Sequence, residues 1–228
     1  MRPIEVGGLT PLSTTDWPDH LAAVVFVQGC PWRCHYCHNR SLQPRGAGTG
    51  PTWPELLPWL ARRSGLIDGV VFSGGEPTLD RALESAVAQV RALGLEVALH
   101  TAGIFPERLR ALLPSLSWVG LDLKTGFAGY DDLTQSRGSA ARVQRSLDAL
   151  LESGVAHEIR TTYHPALIDD EALLDTARRL GALGVPHWVL QRWRAPEGDA
   201  ESSLPPWRWP DADLLDALRA QGPALSLR

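Results

Sequence analysis

Short apolar runs alternate along this chain with longer stretches whose apolar positions recur at helical spacing. Six runs read as strands: 21–28 (LAAVVFVQ), 69–73 (GVVFS), 96–101 (EVALHT), 118–124 (WVGLDLK), 157–163 (HEIRTTY) and 187–190 (HWVL). They are mostly apolar, and several are rich in β-branched residues. Between them the pattern predicts helices over 52–63, 80–93, 106–113, 140–153 and 169–183. Asp169, Asp170 and Glu171 crowd the start of the last one, where the helix macrodipole favours negative charge. Gly94, Gly154 and Gly184 stand just past three helix ends, where a left-handed cap suits glycine.

About six β–α units at this spacing predict an α/β fold, a parallel sheet with helical crossovers. An open doubly wound sheet and a partial (β/α)6 barrel both fit the pattern. Either one places a site at the C-terminal ends of the strands. Here those are residues 28–39, 73–78, 100–103, 122–125, 160–164 and 191–194. No repeat, long linker or charge run divides the chain. Residues 1–228 therefore read as a single domain, with a motif-bearing core over 7–194 and a C-terminal extension over 195–228.

Composition narrows the classes. The chain has 228 residues, 44% hydrophobic and 21% charged, so it has the make-up of a globular protein that folds without staples. A net charge of −4 supplies no large positive field, and a nucleic-acid backbone is not an expected partner. No apolar run approaches the roughly 20 residues that span a bilayer. The first residues, MRPIEVGG, lack the apolar stretch of a secretory signal. A cytoplasmic protein with no membrane partner is expected.

The chain's 3 cysteines all fall in one segment, 28–39 (QGCPWRCHYCHN), directly after the strongest predicted strand. A disulfide framework needs pairs spread along the chain, whereas a tight cluster in a reducing compartment points to metal. Thiolates spaced C-x3-C-x2-C suit zinc or an iron–sulfur cluster. Closed sites take four ligands. Zinc would thus need His35 or His38 as its fourth, and a four-iron cluster would keep one iron open. Buried thiols without metal are a third reading.

The segment resembles the cluster loop of the radical S-adenosylmethionine (SAM) superfamily, C-x3-C-x-aromatic-C, with Tyr36 at the aromatic position. Residues 37–40 (CHNR) are similar to the glycyl-radical-enzyme activating proteins. Residues 12–18 (LSTTDWP) resemble the anaerobic ribonucleoside-triphosphate reductase activating proteins. The resemblance implies that Cys30, Cys34 and Cys37 are the metal ligands and the catalytic centre, holding a [4Fe-4S] cluster. SAM would chelate the open iron through its amino and carboxylate groups, within reach of Tyr36 and Asn39.

Further motifs fall at the other strand ends. In 70–77 (VVFSGGEP) a strand runs into Gly74, Gly75, Glu76 and Pro77. Glycines allow unusual backbone angles and close approach, and a carboxylate at a strand end accepts from an ammonium group. An ordinary β–α turn is the plainer reading. The run matches the superfamily's GGEP motif, which implies binding of the SAM amino group. Asp122 and Lys124 share one face of a strand. They either pair with each other or, as the resemblance implies, Lys124 meets the SAM carboxylate. His100 stands where related activases carry an aspartate that helps to hold a monovalent cation, and imidazole is a poor ligand for a hard cation. His100 is therefore expected to face the carboxylate directly or to be a structural histidine. Arg160 alternates with Ile159, so one of the two faces inward, and an inward Arg needs an anionic partner. Residues 207–209 (WRW), in a Pro-rich stretch, are a candidate partner surface.

The resemblance implies an oxidoreductase that cleaves SAM reductively and installs a glycyl radical on a partner protein. That partner is expected to be the anaerobic ribonucleotide reductase, with a flavodoxin- or ferredoxin-type electron donor. The alternatives are an activase of a pyruvate formate-lyase type enzyme, a radical SAM enzyme acting on a small molecule, and a non-catalytic zinc or iron–sulfur module. No cysteine is left for an auxiliary cluster.

Overall fold

The computed structural model describes residues 2–46, 48–195 and 204–228. One continuous sheet runs through it. β1 (Val6–Ser13) lies antiparallel to β2 (Ala22–Val27). β3 (Gly69–Gly74), β4 (Glu96–Thr101), β5 (Trp118–Asp122), β6 (Ala156–Tyr163), β7 (His187–Arg192) and β8 (Ala224–Leu227) then follow, each parallel to the one before. Among the described residues the sheet has eight strands in strictly sequential order. That order decides between the two folds the sequence leaves open. A doubly wound sheet reverses its strand order at a switch point. Here every crossover steps to the next strand in the same direction, and right-handed crossovers then place all helices on one face. The other face curls inward, giving a partial barrel open between β1 and β8.

Six helices cover the outer face: α1 (Trp53–Ala61), α2 (Leu83–Ala92), α3 (Pro106–Leu112), α4 (Tyr130–Thr134), α5 (Ser139–Ser153) and α6 (Asp170–Ala182). A seventh, α7 (Ala212–Arg219), leads into β8. The period-two alternation of the strands separates two apolar layers. Ala23, Val25 and Val27 of β2 face the helices within the large cluster that also holds Val70, Phe72, Leu99 and Leu121. Ala22 and Val24 point the other way and join Trp17, Val71, Ala98 and Trp118 in a smaller cluster that fills the barrel at the N-terminal ends of its strands. Further along these strands on the same face stand Ser73, His100, Gly120 and Asp122. The interior is thus apolar at one end and polar at the other, and the polar end is where the predicted site residues gather.

The six predicted strands form β2 to β7, but two more were missed. β1, with two glycines and a proline in VGGLTPLS, has weak strand composition and survives as an irregular edge strand. β8 has four residues, too few for a pattern, yet it pairs with β7, so the C-terminal extension belongs to the sheet. β5 ends at Asp122, which leaves Lys124 on the loop beyond it. Helix α2 begins at Leu83, because Asp80 accepts from the Ala82 amide and caps a turn instead.

The tryptophans of 207–209 are committed to internal contacts. Trp207 donates to the Tyr163 carbonyl (3.0 Å), packs edge-on to Trp209 (4.6 Å) and carries the Arg192 guanidinium over its ring (4.5 Å). They strap the exits of β6 and β7 while both rings stay partly exposed, as does Arg208 between them.

Replacing Trp118 by Ala empties the middle of the interior layer. Urea unfolding should show a loss of about 3–5 kcal/mol, against less than half of that for the half-buried Trp59, which lies under Arg63 on the outside of α1.

Candidate active site

Cys30, Cys34 and Cys37 are free, half-buried thiols lining one cavity of about 570 Å³ at the C-terminal ends of the strands. The loop that carries them is pinned at its base. The Gly29 amide donates to the Leu42 carbonyl (2.8 Å) and the Cys30 amide to the Gln43 carbonyl (3.0 Å). The buried Gln28 amide group donates to the Ser41 (2.9 Å) and Pro44 (2.7 Å) carbonyls. Inside the loop Trp32 is buried against Tyr130, ring edge to ring face, and Arg33 donates to the Cys30 (2.7 Å) and Trp32 (2.9 Å) carbonyls. On the flank, the Arg33 amide reaches the Thr134 carbonyl at the end of α4. Gln28, Trp32 and Arg33 escaped the sequence reading. A single polar residue closing an otherwise apolar run was the signal for Gln28.

The donor set fits a cluster better than a closed zinc site. The His35 ring accepts from the Gln135 side chain (3.1 Å) and lines a different cavity, of about 760 Å³, behind the loop. Among the described residues no three His, Cys, Asp or Glu side chains group as they would around a single ion. His38, the other candidate fourth ligand, lines the thiol cavity but does not group with the thiols as it would around a single ion. Burial, reinforced by the charge of Glu76, pushes the Cys30 thiol up to about 12, and burial raises Cys34. Binding a metal group therefore displaces thiol protons.

The glycine pair does its work against this loop. Gly74 sits at φ +115°, and a Cβ on Gly75 would land on the Gly29 carbonyl oxygen. The Gly75 amide donates to Val27 (3.0 Å) and the Glu76 amide to Gly29 (2.9 Å). Both glycines line the cavity; Glu76 and Pro77 lie buried behind them. Glu76 is turned away from the position the sequence suggested for it. Its Oε1 accepts from the Thr78 amide (3.1 Å), the Thr78 hydroxyl (2.5 Å) and the Thr101 hydroxyl (2.7 Å), and its Oε2 accepts from the Ala102 amide (2.9 Å). With four donors on two oxygens it binds the end of β3 to the end of β4, and Thr101 and Ala102 become cavity wall. Burial pushes its pKa upward against these bonds.

His100 lines the cavity with both ring nitrogens engaged. Nε2 donates to the Asp16 carbonyl (2.7 Å), which leaves Nδ1 to accept from the Ser73 hydroxyl (3.3 Å). Burial and the Arg160 charge hold it at about 3, so it is a neutral clamp between β3, β4 and the 13–18 segment. Asp122 is the centre of a charged trio. It accepts from Arg160 Nε (3.0 Å) and Nη2 (2.8 Å) and from Lys124 Nζ (3.1 Å). Burial would raise Asp122, but Lys124 and Arg160 outweigh it and hold the carboxyl well below its usual range. Arg160 is thus the inward residue of its pair, and its anionic partner is Asp122. Gly120 makes room for it, since a Cβ there would stand 2.7 Å from the guanidinium carbon. Tyr36 and Asn39 also line the cavity, and the buried Tyr36 hydroxyl has no hydrogen-bond partner among the described residues.

Two measurements test these assignments. Gly75→Ala forces two backbones apart and should cost at least about 2 kcal/mol in urea unfolding, with iron loading impaired. Gly8→Ala, whose Cβ would make only ordinary 3.6 Å contacts, should stay within about 0.5 kcal/mol. For His100 the folded pKa lies below the unfolded 6.5, so the unfolded chain gains the proton first and stability falls as pH drops below 6.5. By about pH 5 the loss attributable to His100 should reach about 2 kcal/mol, and it should be missing from the pH series of His100→Gln.

Comparison with known proteins agrees with this geometry. The chain is 30% identical over 183 residues to a Methanocaldococcus jannaschii protein named as a glycyl-radical enzyme activating enzyme, covering 76% of this chain and 74% of the relative. It is 32% identical over 161 residues to the pyruvate formate-lyase-activating enzyme of Clostridium pasteurianum, covering 66% and 65%. Streptococcus suis SuiB bound to S-adenosylmethionine shares the fold, with a TM-score of 0.66 at 15% identity, over 88% of this chain and 48% of that one. Residues 24–180 match the model of the radical SAM superfamily. This match spans well over half of the sequence and includes all three thiols, and the chain belongs to the radical SAM superfamily.

Proposed function

We propose that this protein reductively cleaves SAM at a [4Fe-4S] cluster held by Cys30, Cys34 and Cys37 and generates a glycyl radical on a partner enzyme. The observation that carries this reading is the convergence, in one cavity, of three free thiols, the Gly74–Gly75 backbone and the Asp122–Lys124–Arg160 trio. Cys30, Cys34 and Cys37 would hold the cluster, and with SAM bound the pair would supply one-electron cleavage of a carbon–sulfur bond and, from it, the oxidising power to remove a hydrogen atom from a glycine Cα. The protein's share is placement. Lys124 and Arg160 bring two positive charges to one carboxylate, so the trio keeps a net positive charge for the SAM carboxylate. The exposed backbone of the glycine pair approaches the cavity with no side chain between, and suits the SAM ammonium. Tyr36 and Trp32 wall the thiols with apolar rings and limit water at the reacting centre.

Cavity size bears on the substrate. A volume of about 570 Å³ is within the range that encloses one drug-sized ligand. SAM fills such a space, so the target enters from the mouth, as a protein loop can. The 12–18 segment, whose Thr15 and Asp16 line the cavity, resembles anaerobic ribonucleotide reductase activases and supports that enzyme as the partner. The similarity to a pyruvate formate-lyase-activating enzyme makes the lyase type the second candidate. The electron is assigned to a flavodoxin- or ferredoxin-type donor. No helix among the described residues is long and apolar enough to cross a membrane.

The test mixes the reduced, cluster-loaded protein with SAM and each of the two glycyl radical enzymes in turn. A doublet glycyl signal in electron paramagnetic resonance, with one 5′-deoxyadenosine per radical, should appear with the reductase. SAM cleavage that depends on a small metabolite, with no protein radical from either partner, overturns the activase reading.

A further inference from the structure

Part of the cavity wall comes from the C-terminal ends of β6, β7 and β8 and the residues just beyond them, through Thr162, Gln191, Arg192, Arg194 and Arg228. The three arginines differ in how their charge is answered. Arg228 places both terminal nitrogens on the carboxylate of the buried Glu158, at 3.1 Å each. Arg192 lies over the Trp207 ring and has no carboxylate partner among the described residues. Arg194 is exposed at the mouth and makes no ion pair among the described residues. Among the described residues, then, two guanidinium groups at this opening have no carboxylate beside them, on a protein whose net charge is −4. Neither belongs to the Asp122 trio assigned to SAM. Guanidinium is weakly hydrated and forked, and it recognises carboxylates bidentately. The amide of Gln191 and the hydroxyl of Thr162 add neutral hydrogen-bonding capacity beside it.

We propose that Arg192 and Arg194 form an anion subsite at the cavity mouth that takes an Asp or Glu side chain of the target polypeptide, close in sequence to the residue that enters the cavity. The polypeptide nature of the target rests on the function proposed above. The strap beneath Arg192 sets the subsite's position. The Trp207 indole is fixed to the Tyr163 carbonyl, and the guanidinium lies over its ring at 4.5 Å from the centroid, so the charge is held at the rim. Such an arrangement steers an acidic loop toward the opening and fixes its register, both of which hydrogen-atom transfer requires.

The experiment is a binding measurement without turnover, by anaerobic calorimetry on the cluster- and SAM-loaded protein. The probes are a short end-blocked peptide with aspartate beside a central glycine, its asparagine and lysine twins, and free glutarate. The aspartate peptide should bind about tenfold more tightly than the asparagine twin at low salt, with the advantage shrinking as salt rises. Arg194→Gln should abolish that advantage, and Arg194→Glu should transfer it to the lysine twin. Iron content should be unchanged in both variants, since Arg194 is exposed and is not one of the three thiols. Equal binding of the aspartate and asparagine twins, an unaltered preference in Arg194→Glu, or no measurable binding of any peptide overturns the subsite. Glutarate binding as tightly as the aspartate peptide overturns its assignment to a polypeptide. Radical formation is not read here, so a failure of the activase reading leaves this result standing, and the reverse holds as well.

Discussion

Where β3 leaves the sheet it runs against the base of the thiol loop with no space for a side chain between them. The contact is backbone to backbone: the Gly75 and Glu76 amides continue the β2–β3 ladder beyond both strands, onto Val27 and Gly29. Gly29 and Gly74 take the left-handed angles that let the two segments converge, at φ +105° and +115°. Gly29 in turn hangs from Leu42, so the same crossing closes the loop that presents the three thiols. Glu76 extends the knot sideways, and its four hydrogen bonds carry β4 into it. The distance from the thiols to the cavity wall is thereby set by main-chain geometry, which is stiffer than any side-chain contact and leaves the facing backbone free for a ligand.

The polar half of the barrel depends on a second condition, that every buried charge placed there is answered. Asp122 stands between Lys124 and Arg160, and Glu158 receives the Arg228 fork. His100 avoids adding a cation by staying neutral, with carbonyl and hydroxyl partners on opposite sides of its ring. A buried charge without a partner costs several kcal/mol, so these pairs are as much a requirement of folding as a preparation for binding. The surplus is positive and lies toward the cavity and its mouth. It is matched there by the negative charge that thiolates and the carboxylate of SAM would bring.

Much of this was legible in the chain. The six parallel strands showed because buried strands are dense in Val, Leu and Ala and are punctuated by helix signals. The thiol loop showed because three cysteines at that spacing have few chemical uses. β1 and β8 did not show. Their pairing comes from a neighbour's free edge, and a run such as ALSL acquires strand geometry only once β7 is beside it. The internal contacts of Trp207 did not show either, because its hydrogen bond goes to the carbonyl of Tyr163, a strand end 44 residues away.

By itself, then, the sequence determined the α/β alternation, the C-terminal strand ends as the seat of the candidate site, and the gathering of three thiols in one loop, because these follow from local periodicity and residue spacing. Tertiary structure alone decided that the sheet curls into a partial barrel, since strand order is a relation between distant segments. It also decided where the strand-end side chains turn. Glu76 faces away from the cavity because four donors from Thr78, Thr101 and Ala102 stand behind it, and Arg160 faces inward because Asp122 and the gap at Gly120 receive it. A side chain's direction at a strand end is set by whichever partners the neighbouring strands bring, and those partners come from strands remote in the sequence.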